Sequence, residues 1–134
     1  MNVKAIDHIG IAVKSVDAVK ETLQKAFGLS PAFEEIVEDQ KVRIVAYTIG
    51  KIRLEYMEPI AADSPISRFL EKRGEGLHHI AIAVEDVAAA LEHLKTEGFP
   101  LIDTQPRVGA EGKHIAFLHP AGFHKVLIEL TSGE

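Results

Sequence analysis

Two histidines and two glutamates sit at matching places in a sequence that repeats itself. Asp7-His8-Ile9-Gly10-Ile11-Ala12-Val13 is written again as His78-His79-Ile80-Ala81-Ile82-Ala83-Val84, at a shift of 71. Carried from residue 7 to 29 against 78 to 100, the register holds nine identical pairs in 23, among them His8/His79, Val16/Val87 and Leu23/Leu94. A second echo, at a shift of 74, lays Lys51-Ile52-Arg53-Leu54-Glu55 on Lys125-Val126-Leu127-Ile128-Glu129. Self-similarity at a fixed offset marks a duplicated unit. Each half therefore opens with a histidine and closes with a glutamate. Two imidazole nitrogens and two carboxylate oxygens suit a divalent first-row ion such as Co, Mn, Ni or Zn. Four protein donors leave an octahedral ion two open positions, and an open position separates a catalytic site from a closed structural one. His8, Glu55, His79 and Glu129 are the expected metal ligands.

Taken singly, none of the four would carry that reading. One histidine early in a strand is ordinarily a satisfied polar residue, and one glutamate near a C-terminus is ordinarily solvated surface. The paired echoes change the weighing, because these types persist while much around them drifts.

The elements that must position them follow from periodicity. Ile6 to Val13 reads as a strand. Ile9, Ile11 and Val13 share one face and call for a helix against it; His8, Gly10 and Ala12 share the other, one ligand-type side chain among small residues. Ser15 caps a helix whose stripe is Val16, Val19, Leu23 and Ala26, ended by Gly28; Ala18 stands where a capping-box glutamate would be. Glu34 to Val37, Val42 to Thr48 and Ile52 to Met57 read as strands, the last two joined at Gly50-Lys51 by a hairpin turn. Ser64 and Pro65 start a linker helix that Gly74 ends.

The second half repeats the order. His79, Ala81 and Ala83 share a face on its first strand, and a helix near Val87 to Glu97 follows, with Leu91 and Leu94 buried. Val108 to Lys113 reads as a loop, His114 to Leu118 as a strand, His119 to Gly122 as a turn and Val126 to Leu130 as the last strand. Each half reads β-α-β-β-β. The repeats span about residues 4–59 and 76–131 of a single domain, 1–134.

Composition bounds the rest. The chain of 134 residues is 46% hydrophobic and 26% charged, which is ordinary for a soluble globular domain. Its net charge of −5 leaves no footprint for nucleic acid. The absence of cysteine removes disulfides, thiolate nucleophiles and Cys-type zinc sites. With no signal peptide at the N-terminus and no run of roughly 20 apolar residues, a cytoplasmic protein with no membrane partner is expected.

An ordered set of segments now carries a family likeness: Asp7 to Val13, Asp39-Gln40-Lys41-Val42, Leu54-Glu55-Tyr56-Met57-Glu58-Pro59, Asp63-Ser64-Pro65-Ile66, Gly76-Leu77-His78-His79-Ile80, Phe117-Leu118-His119-Pro120 and Val126 to Leu130. The chain resembles the vicinal-oxygen-chelate superfamily of glyoxalase I and the extradiol dioxygenases. Within it, over essentially the whole length, it looks like the methylmalonyl-CoA epimerase family. The resemblance implies an α+β fold, with two tandem βαβββ modules forming a curved mixed sheet around a metal site and helices outside. It implies epimerisation of (2R)- and (2S)-methylmalonyl-CoA through a metal-stabilised enolate, with an acyl-CoA as the substrate partner. The family's ligands fall on His8, Glu55, His79 and Glu129, the four that the repeats select.

Epimerisation needs a base on each face of C2, and symmetry supplies Glu129 and Glu55 as the catalytic pair. Some relatives have Gln in place of Glu55 and an additional glutamate where this chain has Ile44. Gln40 is implied in substrate binding by resemblance alone. The loop Gly109 to Lys113 offers Lys113 to a CoA phosphate, against the plainer reading of a hairpin loop. His78 faces away from His79; His93, His114 and His124 are expected at the surface. A homodimer is expected from exposed strand edges. The rival readings are a lactoylglutathione-lyase-type isomerase and a non-catalytic small-molecule-binding protein of the same fold. The second has no need of metal ligands. An Fe(II) dioxygenase would want two histidines and one carboxylate, which Glu55 argues against.

Overall fold

A computed structural model describes residues 1–133 of the chain. The elements run β1 (Val3–Ala12), α1 (Val16–Phe27), β2 (Phe33–Val37), β3 (Val42–Ile49), β4 (Ile52–Pro59), α2 (Pro65–Arg73), β5 (Gly76–Val84), α3 (Val87–Thr96), β6 (Arg107–Val108), β7 (His114–Leu118) and β8 (Ile128–Ser132). The order β-α-β-β-β therefore occurs twice, with α2 between the two runs, as the repeats require. The chain also separates into two compact units, and these do not follow the repeats. One comprises Ile9–His78; the other joins Met1–His8 to the chain from His79 onward. Both cuts fall inside strands, β1 and β5.

In the Ile9–His78 unit, β2, β3 and β4 form an antiparallel run. Val45 stands opposite Tyr56, and Ala46 opposite Glu55. α1 covers one face of it, burying Val16 and Leu23 against Val13, Val45 and Tyr47, with Ile11 and Val19 at the margin. The expected caps form: Ser15 Oγ accepts from the Ala18 amide, and Gly28 takes the left-handed conformation with φ of 65°. Another of the orphan amides of the first turn is satisfied from a distance, because Glu58 Oε1 accepts from the Val16 amide at 2.8 Å. α2 begins at Pro65 behind Ser64, whose hydroxyl accepts from the Ile66 amide and donates to the Gln40 carbonyl.

In the other unit β5 and β8 are parallel, while β8, β7 and β6 are antiparallel in turn, so this sheet is mixed. α3 starts behind Asp86, which accepts from the Ala89 amide. It lays Val87, Ala90, Leu91 and Leu94 on Val84, Ala116, Leu118 and Leu130. Two boundaries differ from the periodicity. The last strand starts at Ile128 rather than Val126, because His124 and Lys125 both have positive φ, 57° and 69°, and the Val126 amide turns back to the Phe123 carbonyl. Arg107 and Val108, expected in or beside a loop, pair with β7 as a two-residue strand. Among the described residues no helix is long and apolar enough to cross a membrane.

Candidate metal centre

The site lies within the unit that contains residues 1–8. His8 comes from the end of that segment, His79 from β5 and Glu129 from β8, and all three are buried. The parallel register explains the second and third. Ala81 stands opposite Glu129, so His79, two residues earlier on the same face, is its diagonal neighbour. Position 81 itself carries only a methyl group, fully buried beside the carboxylate. Phe117, opposite Glu129 on the other side, stands edge-on to the His79 ring at 5.4 Å between centroids. That contact fixes the imidazole plane.

Three donor atoms converge. His79 Nε2 lies 2.9 Å from Glu129 Oε1, His8 Nε2 lies 3.6 Å from the same oxygen, and the two Nε2 atoms are 3.1 Å apart. An ion with bonds of about 2.1 Å, meeting its donors at right angles, spaces them about 3.0 Å apart. The cluster therefore has the donor types and the spacing that a divalent first-row ion takes. Burial alone would raise the Glu129 carboxyl. Hydrogen bonding and positive charge from His79 and then His8 outweigh it, holding the group down at about 2. The carboxylate is thus an anion at every physiological pH, as a metal ligand must be.

Glu55, the fourth expected ligand, lies on β4 in the Ile9–His78 unit. It is also buried, and Arg53 Nε and Nη2 both donate to its Oε2, at 3.1 and 3.0 Å. Ile44, on β3, is buried on the same side of the strand pair, with Met57 opposite it and Ala46 opposite Glu55. Gln40 sits in a 3-10 turn of residues 38–40, where its carbonyl takes the Ser64 hydroxyl. Lys113 follows a second such turn and reaches Asp7 Oδ1 at 3.7 Å and Glu111 Oε1 at 3.9 Å. His78 lies against the linker helix, its ring edge-on to Phe69 at 4.9 Å. His93, His114 and His124 are exposed.

Two participants escaped the sequence reading. Asp7 Oδ2 lies 2.8 Å from His8 Nδ1 and fixes that ring; the Asp-His pair was visible, but the duplicated copy has His78 instead. Arg53 was legible as a cation two residues before Glu55 on one strand, a spacing that puts both on one face.

With this geometry in place, the chain can be set beside known proteins. Residues 7–117 match the model of the Glyoxalase/Bleomycin resistance protein/Dioxygenase superfamily. The chain is 44% identical to YqjC of Bacillus subtilis, over 93% of this chain and 89% of that one. It is 34% identical to an ethylmalonyl-CoA/methylmalonyl-CoA epimerase of Cereibacter sphaeroides, over 93% of this chain and 95% of that one. A solved methylmalonyl-CoA epimerase, in complex with methylmalonyl-CoA and NH4+, superposes with a TM-score of 0.92 at 36% identity, covering 98% of this chain and 95% of that one. The chain belongs to the Glyoxalase/Bleomycin resistance protein/Dioxygenase superfamily and, within it, to the family of the methylmalonyl-CoA epimerases. The α+β fold of two βαβββ runs is that superfamily's fold.

Proposed function

We propose that this protein epimerises methylmalonyl-CoA at C2, acting on an acyl-CoA as the Cereibacter relative's name describes. The observation that carries the reading is the buried convergence of His8 Nε2, His79 Nε2 and Glu129 Oε1 in a chain of this family. His8, His79 and Glu129, with Glu55 as the fourth ligand, would hold a divalent ion, Co, Mn, Ni or Zn. Such an ion supplies Lewis-acid stabilisation of the negative charge that develops on the thioester oxygen.

The protein's own groups move the proton. Glu129 accepts the C2 proton on one face as the C–H electron pair passes into the thioester carbonyl. Glu55, held as a carboxylate by Arg53, takes up a proton from water and delivers it to C2 on the opposite face. Glu129 passes the proton it has taken to water, so each turnover leaves both carboxyls as they began. Lys113 and Gln40 contribute to holding the acyl-CoA. The two repeats, about 4–59 and 76–131, function as one domain, in a cytoplasmic homodimer. Val3 and Ile6, exposed on the first strand, supply apolar surface for the pairing.

Proton NMR in D2O with Co-loaded protein tests the reading. Both (2R)- and (2S)-methylmalonyl-CoA are expected to lose their C2 proton signal, and the loss should stop when the metal is chelated. Tight metal binding without exchange in either epimer would reject this substrate and turn attention to a glutathione-adduct isomerase.

A further inference from the structure

Asp7 uses its two oxygens for different partners. Oδ2 lies 2.8 Å from His8 Nδ1, and Oδ1 lies 3.7 Å from Lys113 Nζ. A carboxylate can only accept, so the proton between Asp7 and His8 sits on Nδ1. Nε2, 3.1 Å from His79 Nε2 and 3.6 Å from Glu129 Oε1, is then the nitrogen of His8 left to present a lone pair to a cation. A neutral imidazole in water prefers the opposite arrangement. The carboxylate therefore selects the form of His8 that can bind a cation, and it adds electron density to the ring.

Lys113 decides where that carboxylate stands. Its backbone is held: the Gly109 amide donates to the Lys113 carbonyl at 2.9 Å, and the Lys113 amide donates to Ala110 at 3.2 Å. A Cβ on Gly109 would meet Ile115 Cγ2 at 2.8 Å, so only glycine lets the turn lie this close to β7. Glu111 shares the ammonium at 3.9 Å but is the more exposed acid, with 43% of its side chain accessible against 14% for Asp7. The pairing with Asp7 is the less screened of the two.

We propose that Asp7 and Lys113 are positioning residues for the metal centre: Asp7 sets the tautomer of His8, and Lys113, carried by the Gly109–Lys113 turn, holds Asp7 in place to do so. The inference rests on the reading of His8 as a metal ligand.

Long-range 1H–15N NMR of the metal-free protein reads the tautomer directly. His8 is expected as the Nδ1–H form in the native chain and shifted toward the Nε2–H form in Asp7→Ala. Co2+ titration of the same proteins should show affinity weaker by about 10–100-fold for Asp7→Ala. Lys113→Ala should weaken it by about 2–5-fold, and Lys113→Arg should restore it. Because Lys113 acts through Asp7, removing it from Asp7→Ala should cost nothing further. An Nε2–H His8 in the native chain, or an undiminished Lys113→Ala effect in the Asp7→Ala background, would overturn the proposal. Failure of the native chain to bind Co2+ while His8 keeps the Nδ1–H form would instead reject the metal reading beneath it.

Discussion

Arg53 places two nitrogens on one oxygen of Glu55: Nε at 3.1 Å and Nη2 at 3.0 Å, both to Oε2. The residues are two apart on β4, so the pleat aims both side chains to one face. Glu55 is almost wholly buried and Arg53 mostly so. A buried carboxylate fixed by one oxygen keeps a defined direction for the other.

Removing the cation should leave Glu55 buried without its main compensating charge. Arg53→Ala is expected to lower stability by on the order of 2–3 kcal/mol. Arg53→Lys, which offers a single ammonium in place of the fork, should recover part of the loss. Urea melts of the three metal-free proteins check this; equal midpoints would show that the pair contributes nothing.

Glu129 has two duties in the proposed reaction, ligand and base. Glu129→Gln keeps an oxygen that can ligate but accepts no C2 proton. Turnover should fall by about 100-fold or more while a weakened metal affinity survives. The check is to measure both quantities on one preparation; turnover at the native rate would remove Glu129 as the base.

Ile44 and Glu55 make a paired test of the second base. Ile44 is buried on the same face of the β3–β4 pair as Glu55. Glu55→Gln should lose exchange from one epimer of the substrate. Adding Ile44→Glu puts a carboxylate back on that face and should return part of the activity. Full activity in Glu55→Gln alone would assign the second proton to another group.

Acid stability offers a test without substrate. The Glu129 carboxyl sits at about 2 in the folded protein against an ordinary 4.5. A lowered pKa contributes stability that is complete above the ordinary value and lost as pH falls toward the folded one. On the order of 3 kcal/mol should therefore disappear from the metal-free protein between roughly pH 4.5 and 2. Glu129→Gln should show a flatter melting profile across that window. Parallel profiles would contradict the proposed charge balance.

How much of this was legible depends on whether the signal is local. Ser64-Pro65 with Gly74 gives α2 to the residue, since cap, first-turn proline and stop are all chain-local. α1 is equally plain from Ser15 to Gly28. β8 starts two residues late because two non-glycine residues adopt positive φ, which apolar alternation does not encode. The convergence of His8, His79 and Glu129 was legible only through the duplication, since no local rule brings residue 8 beside residue 129. Glu58 as the distant cap of α1, and Lys113 reaching Asp7, depend on tertiary approach and left no mark in sequence spacing.

The interleaving of the two units orders events in time. A ribosome extends a chain at about 5–20 residues per second, and units fold as they are completed. Ile9–His78 is finished first, yet the eight residues made before it belong to the other unit. His8 therefore meets His79 and Glu129 only once β5 and then β8 have been synthesised. Capture of an ion by all three donors would thus be closed to the nascent chain and would come late. An ion held by all three donors would in this sense be a timestamp, marking a molecule that has already placed its last strand.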